Sequence, residues 1–361
     1  MKILVISNMY PSAADPSYGT FVRNFYEDIV RRNAEADTRL VTIRGRRGSK
    51  WAKLAAYIRF YASALHALTA RSYDMVYVHT VTFPTPALRI ASWLRRLPLV
   101  LNVHGDDVLP QTSLKKRLKE MSRPLMAGTR LMVVPSAYFA DVVRREFPEL
   151  DPGRIYVSAS GGVDRKFFVD RPDKADTDAI TLGFVSRIDP GKGWAEFVRL
   201  VHDLRMRGID CRAVMAGGGS QQRALTDAIV RAGLSGVIDY RGPLSQQELV
   251  DIYRHMDLFI FPTVREQESL GLVALEAMAA GVPVVASDMA GPTSYVHHGI
   301  NGYLFEPGNV DAMADSVASW IALAPDARER MSREAVATAG DYEARSVADR
   351  LWQRLAAEFK R

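Results

Sequence analysis

Two carboxylates and two cations in the second half of the chain have the types and spacing for sugar and phosphate chemistry. Glu268 and Glu276 stand eight residues apart in FPTVREQESLGLVALEAMAAGVPVVASD, residues 261–288. The segment reads as a strand end, a loop with three ionisable residues, and a helix that Gly271 opens and Gly281 and Pro283 stop. Residues 272–280 are apolar nearly all round, so this helix is buried and Glu276 is its one charge. A buried carboxylate needs partners; ribose hydroxyls suit it, and so does an internal Arg or Lys. Glu268 sits at the loop mouth, beside the Ser269, Leu270 and Gly271 amides at the helix start, where negative oxygens bind well. A capping role would suit Glu268 equally.

The cations lie in a glycine-rich turn, Gly183-Phe-Val-Ser-Arg187-Ile-Asp-Pro-Gly191-Lys192-Gly193. Arg187 offers a planar fork and Lys192 a point charge, together a clamp for a diphosphate. The turn is neither GxxxxGK[ST] nor GxGxxG. In the first half, His104 follows a strand in Asn102-Val-His104-Gly-Asp106-Asp107, at the carboxyl end where doubly wound sheets place ligands.

These residues need a scaffold of alternating strands and helices. Continuous apolar runs at residues 2–7, 39–43, 75–79, 99–104 and 131–135 read as buried parallel strands with helical patterns between them. A second series begins at 179–185 and continues at 211–216, 237–240, 258–261 and 282–287. Helices are expected at 194–207, 221–232 and 246–256. The charged, aperiodic stretch 164–178 reads as the linker, and a last helix over 344–360 follows a polar break at Gly340–Asp341. The pattern is two doubly wound α/β domains.

The chain has 361 residues, more than one core usually supports. Cys211 is the single cysteine, which excludes a disulfide framework and a cysteine metal site and fits a reducing compartment. Met1–Ser7 lacks the long apolar region and cleavage site of a secretory leader, and no segment has the uninterrupted apolar length of a membrane span. The net charge of +6 is uneven. Residues 1–175 hold 28 Lys+Arg and 16 Asp+Glu (+12), and residues 176–361 hold 19 and 25 (−6). The split fits either a polyanionic partner of the first half or a solvated basic face.

Taken together, the motifs resemble the retaining GT-B glycosyltransferases of family 4 over nearly the whole chain. The E-x7-E signature matches Glu268 and Glu276, and the paired phosphate cations match Arg187 and Lys192. The resemblance implies a GT-B fold, two Rossmann-like domains facing a central cleft. Residues 1–168 would bind the acceptor, 169–343 the nucleotide sugar, and 344–361 would form a helix returning to the first domain. It implies that Glu276 holds the donor ribose, and that Glu268 with Ser269, Leu270 and Gly271 holds the sugar hydroxyls. Gly19 resembles the glycine loop near the diphosphate, although Tyr18 stands where relatives have a second glycine. His104 matches the His-Gly-x-Asp turn whose histidine contacts the donor sugar, and Asp106 and Asp107 of that turn are assigned to the acceptor. Residues 160–165 resemble an Asn-Gly-Val-Asp turn with Ser160 replacing Asn. Gly217, in the Gly-x-Gly-like turn 217–219, and Arg241 would lie near the nucleotide.

The implied reaction transfers a hexose from a UDP- or GDP-sugar, with retention, to a glycan or lipid-linked glycan in bacterial polysaccharide or glycolipid assembly. No cofactor and no metal are expected. Arg187, Lys192 and the helix terminus would neutralise the diphosphate, and the one DxD spacing, Asp176-Thr-Asp178, lies in the linker. No glycosidase-like carboxylate pair is evident, so front-face substitution is preferred. The competing readings are a GT-B nucleotide-sugar epimerase, a phosphorylase, an NAD enzyme and a basic nucleic-acid binder. The phosphorylase lacks a cofactor lysine site, and the NAD enzyme lacks GxGxxG. The nucleic-acid binder lacks interleaved aromatics.

The expected location is cytoplasmic, peripheral at an anionic membrane face. Trp51, Leu54, Ile58, Tyr61, Leu65 and Leu68 form an amphipathic stripe, and Arg44, Arg46, Arg47, Lys50 and Lys53 crowd its start. Leu114, Leu118 and Met121 form a second stripe, with Lys115, Lys116, Arg117 and Lys119 on other faces. Both stripes are expected to pack on the sheet and leave the cations for the membrane.

Overall fold

In the computed structural model the apolar runs are strands hydrogen-bonded in parallel, and the central ones, such as Met75–His79, Leu99–Asn102 and Leu258–Phe261, are buried on both faces. The structure describes residues 1–15, 18–33, 37–171 and 179–359. Two units divide the chain, 1–161 with 345–361, and 162–344.

The first unit runs β1 (Ile3–Tyr10), α1 (Thr20–Arg32), β2 (Thr38–Arg44), α2 (Lys50–Ala70), β3 (Met75–His79), α3 (Thr85–Leu94), β4 (Leu99–Asn102), α4 (Ser113–Met126), β5 (Leu131–Val134), α5 (Ala137–Glu146) and β6 (Ile155–Val157). Among the described residues its sheet has six strands, ordered β2-β1-β3-β4-β5-β6. The order reverses beside β1, so loops after β1 and β3 flank the switch point. Helices α2 to α5 cover one face, where Phe60, Leu68, Leu88 and Phe139 enter the core.

The second unit runs β7 (Ile180–Val185), α6 (Trp194–Met206), β8 (Cys211–Ala216), α7 (Gln222–Arg231), β9 (Ile238–Tyr240), α8 (Gln246–Tyr253), β10 (Leu258–Phe261), α9 (Leu272–Ala279), β11 (Val284–Ser287), β12 (Gly302–Phe305), α10 (Val310–Ile321) and α11 (Pro325–Asp341). Its described strands are ordered β12-β11-β10-β7-β8-β9. The switch point lies between β7 and β10, the strands that precede the two motif-bearing loops. Ser245 and Glu248 close a capping box on α8, and the Asn309 side chain caps α10. Helix α12 (Ala344–Phe359) packs Leu351 and Leu355 against Ile3, Val5 and Ile29 of the first unit.

Several expectations change. The stretch read as linker begins inside the second unit, because Asp164 caps a short turn that buries Phe167 completely. Residues 172–178, with Asp176 and Asp178, lie outside the described residues, as does Lys360. The unit boundary falls at Gly161/Gly162, where Val163 exchanges backbone hydrogen bonds with Tyr342 and Ala344. The break at Gly340–Asp341 is instead the last turn of α11, anchored by buried Met331, Ala335 and Ala339.

The stripe on α2 does not pack along its length. Tyr61, Leu65 and Leu68 reach the core, whereas Trp51, Leu54 and Ile58 are 81%, 51% and 59% exposed. The stripe on α4 is also divided, since Leu118 is buried but Leu114 and Met121 are exposed. Lys119 is not a surface cation, for it is buried and paired with Glu146. No helix among the described residues is long and apolar enough to cross a membrane.

Candidate functional site

In the second unit the chemistry collects where β7, β8 and β10 end. The turn after β7 carries Arg187 and Lys192, and the loop after β10 carries Glu268. Their neighbouring strands bring Lys192 Nζ onto Glu268 Oε2 in an ion pair that spans the switch point. Both side chains are mostly buried. Each charge neutralises the other.

Arg187 remains 65% exposed and pairs with Asp189 at 2.9 Å. Asp189 also accepts from the Ser220 amide at 2.9 Å and the Ser220 hydroxyl at 2.8 Å. Those bonds hold its carboxyl below the usual carboxylate range, with help from Arg187 and Arg265. Asp189 therefore ties the cationic turn to the glycine turn after β8. Gly217 takes φ 133° in that turn, and a Cβ there would lie 1.8 Å from the Ser186 carbonyl oxygen, so two loops meet at a spacing only glycine permits. The Gly217 amide donates to the Gly242 carbonyl at 2.7 Å, and the Gly217 carbonyl accepts from the Tyr240 hydroxyl at 2.7 Å. Arg241 bonds through its amide to Met215 at 2.9 Å, and its guanidinium pairs with Asp239.

Helix α9 begins at Gly271 with φ 78°, and a Cβ there would strike the Phe261 ring at 2.7 Å. The amide of Gly291 donates to the Glu268 carbonyl at 2.9 Å, fixing the loop ahead of the helix. Glu276 lies five residues beyond Gly271, about 7.5 Å along the axis. It is 9% exposed, and Oε2 accepts from the Tyr253 hydroxyl at 3.1 Å. Burial pushes its carboxyl up to about 7, against the pull of the Tyr253 hydrogen bond and Lys166. Among the described residues no Arg or Lys forms an ion pair with it, so Glu276 keeps acceptor capacity for a ligand.

In the first unit Gly19 opens α1, lying against the Met9–Tyr10 backbone. His104 Nε2 meets His79 Nδ1 at 3.2 Å, and Phe21 packs on the His104 ring at 4.5 Å between centroids. Burial lowers His104 to about 4, and burial with the neighbouring His104 holds His79 well below the ordinary histidine range. Both rings are therefore neutral near pH 7, and one donates to the other. Asp107 accepts from the His104 amide at 2.9 Å and the Val81 amide at 3.2 Å. It clamps the turn that presents His104. Asp106 is exposed and pairs with Lys115 at 3.2 Å.

The family described as Glycosyl transferases group 1 matches residues 166–337, and a Glycosyl transferase 4-like domain matches residues 13–160. The chain belongs to the group 1 glycosyltransferases. A D-inositol 3-phosphate glycosyltransferase of Saccharomonospora viridis is 36% identical over 183 residues, 48% of this chain and 42% of that enzyme. A 2-deoxystreptamine N-acetyl-D-glucosaminyltransferase of Niallia circulans is 25% identical over 258 residues, 68% of this chain and 66% of that enzyme. The chain thus spans less than half the length of the first relative and just under two thirds of the second. Among solved structures, Anabaena HepE in complex with UDP aligns over 99% of this chain and 100% of its own, with TM-score 0.75 and 19% identity. Sucrose-phosphate synthase of Thermosynechococcus elongatus gives 0.77 and 15%, with 99% of this chain and 100% of its own covered. These likenesses establish the GT-B fold.

For this group 1 glycosyltransferase, sequence reasoning singled out Arg187, Lys192, Gly217, Arg241, Glu268, Ser269, Leu270, Gly271 and Glu276, and all lie at the carboxyl edge of the second sheet or on α9 behind it. Gly19, His104, Asp106 and Asp107 lie at that edge of the first sheet. Reasoning from sequence passed over the residues that hold these in place, namely His79, Asp189, Ser220 and Tyr253. Asp189 stands inside the cationic turn, and its position after Arg187 was the available signal. Tyr253 reaches Glu276 across 23 residues, a contact that no local spacing announces.

Proposed function

We propose that the protein transfers a hexose from a UDP- or GDP-sugar to a glycan or lipid-linked glycan, with retention and without a metal ion, in bacterial polysaccharide or glycolipid assembly. The observation that carries this reading is the meeting of Lys192 and Glu268 at the switch point, with Arg187 beside them and buried Glu276 behind. Arg187 and Lys192 would take the diphosphate, releasing Glu268 to accept from sugar hydroxyls beside the Ser269, Leu270 and Gly271 amides. Glu276 would take the ribose hydroxyls on its carboxylate. Gly217 and the Arg241 backbone would flank the nucleotide, and Gly19 the diphosphate. His104, neutral and steadied by Asp107 and His79, would donate or accept a hydrogen bond at the transferred sugar, and Asp106 would meet the acceptor.

In a front-face course the sugar–diphosphate bond breaks while the acceptor hydroxyl oxygen bonds to the same face of the anomeric carbon, and the hydroxyl proton passes to the departing phosphate oxygen. Charge grows on the departing phosphate, and fixed cations there stabilise the transition state more than the ground state. Similarity to a D-inositol 3-phosphate glycosyltransferase and a 2-deoxystreptamine N-acetyl-D-glucosaminyltransferase supports the reaction class.

The test is turnover of a nucleotide-sugar panel, followed by release of nucleoside diphosphate with and without EDTA, and NMR of the product anomer. Release that persists in EDTA with a retained anomer supports the proposal. Complete loss rescued by Mg²⁺ refutes metal independence, and an inverted anomer refutes retention.

A further inference from the structure

The amino-terminal half of α2 is an apolar face with nothing packed on it among the described residues. Trp51, Leu54 and Ile58 stand at i, i+3 and i+7, on one side of the helix, and each is more than half exposed. A clustered Trp, Leu and Ile is unlike the scattered apolar side chains of an ordinary surface. The surrounding charge is mostly positive. Arg47, Lys50 and Lys53 form no ion pair with any described carboxylate, Arg44 lies over the Tyr10 ring, and Arg46 lies over the Tyr18 ring and pairs with Asp15 at 3.6 Å. At the start of α4, Leu114 is 60% exposed beside exposed Lys116 and Arg117, which likewise pair with no described carboxylate.

Topology places both helix starts at one edge. In a parallel sheet every helix begins where the preceding strand ends, so α2 after β2 and α4 after β4 both start at the carboxyl edge. Gly19 and His104 lie at that edge. Contacts link the face to them: the Asn8 amide donates to the Tyr57 hydroxyl of α2 at 3.4 Å, and the Thr80 hydroxyl donates to Asn8 at 2.7 Å. Thr80 follows His79, which meets His104.

We propose that this face docks on an anionic lipid bilayer, with Trp51, Leu54 and Ile58 entering the interface and the cations of α2 and α4 on the headgroups. Tryptophan and aliphatic side chains backed by Lys and Arg are the composition of helices that lie in the plane of a membrane interface. Charge complementarity selects the anionic surface, and attraction to it decays within a Debye length. A second copy of this chain is a poorer occupant, because apposed copies would bring the same cations together. Docked in this way, the His104 edge faces a membrane-borne acceptor. That corollary rests on the transferase reading, whereas the docking itself does not.

The experiment is co-sedimentation of the full chain with vesicles of phosphatidylcholine alone or mixed equally with phosphatidylglycerol. Wild type is expected to pellet with the mixed vesicles only, and to leave them when salt rises to about 1 M, where the Debye length is roughly 3 Å. The variant Trp51→Ala/Leu54→Ser/Ile58→Ser, and separately Arg47→Glu/Lys50→Glu/Lys53→Glu, should each weaken binding at least about tenfold. Met206→Ala is the control, an exposed apolar side chain of the second unit, and it should bind as wild type. Trp51 fluorescence should shift to the blue on binding, and Trp51→Phe should lose that shift. All substituted side chains are exposed, so circular dichroism should match wild type. Equal binding to both vesicles, no binding, or unchanged binding of the triple variants would overturn the proposal. A wild-type dimer that the apolar triple variant dissociates, with no pelleting, would instead make the face a contact between copies. Donor affinity in vesicle-free buffer should be the same for all variants, so failure of docking and failure of the donor assignment are read separately.

Discussion

Replacing Glu276 with Gln should stabilise the ligand-free protein while weakening its hold on the donor. The carboxyl is buried, its described hydrogen-bond partner is Tyr253, and burial raises it from 4.5 to about 7. The folded state thus binds this proton more tightly than the unfolded chain does. Below about pH 4.5 the carboxyl is protonated in both states and costs nothing. As pH rises the unfolded chain ionises first, and stability falls until about pH 7, where the folded carboxyl ionises too. The full penalty is 2.5 units at 1.36 kcal/mol each, about 3 kcal/mol. Gln keeps the shape and the Tyr253 hydrogen bond but never ionises. At about pH 8 the variant should therefore gain roughly 3 kcal/mol, or roughly 6–12 °C in the melting transition of a unit this size. At about pH 5 the gain should shrink to roughly 0.8 kcal/mol. Chemical denaturation at the two pH values measures both. Equal stability of variant and wild type at each pH would refute the reasoning, since Glu276 would then be hydrated or paired in the native state. Donor binding should move oppositely, weakening by roughly tenfold or more in the variant, because a carboxylate accepts stronger hydrogen bonds from ribose than an amide does.

Tyr253→Phe removes a hydrogen bond that lowers the Glu276 pKa, so the pH midpoint for donor binding should rise and donor KM should increase more than kcat falls; calorimetric titration across pH reads the midpoint. An unchanged midpoint would mean that Tyr253 only fills space. The first unit should soften in acid, because His104 titrates near pH 4 when folded and near 6.5 when unfolded. Its contribution is intact above about pH 6.5 and is lost as pH falls toward 4, about 2 kcal/mol by pH 5. His104→Phe should flatten that slope in urea melts, and an unaltered slope would count against a buried neutral ring.

Much of this arrangement is legible in the residues because the sheets are parallel and buried. Runs such as Met75–His79, Cys211–Ala216 and Leu258–Phe261 can only be interior strands, and their ends fix where the loops stand. The short strands β6 and β12 were not legible. Ile155–Val157 is a half-exposed edge strand of three residues, and Gly302–Phe305 begins with a glycine whose place is set by the Val284 backbone 2.1 Å from its absent Cβ. The α2 stripe shows a different limit: helical periodicity reveals a face, but which turns are covered depends on how far the sheet extends beneath them. Asp107 shows another. Its place after His104 suggested a ligand contact, whereas its oxygens are taken by the His104 and Val81 amides. Sequence spacing finds side chains that face a site, but tertiary hydrogen bonds decide which of them remain available to a ligand.

The central claim is that the second unit holds a nucleotide sugar through Arg187, Lys192, Glu268 and Glu276. Isothermal titration of UDP- and GDP-sugars into wild type, Arg187→Ala and Glu276→Ala tests it most directly. At least one donor should bind wild type, and each variant should lose roughly ten- to hundredfold in affinity while keeping its fold, from the loss of charged hydrogen bonds of about 1.5–3 kcal/mol. Wild-type affinity in both folded variants, or no binding of any nucleotide sugar to wild type, would contradict the account.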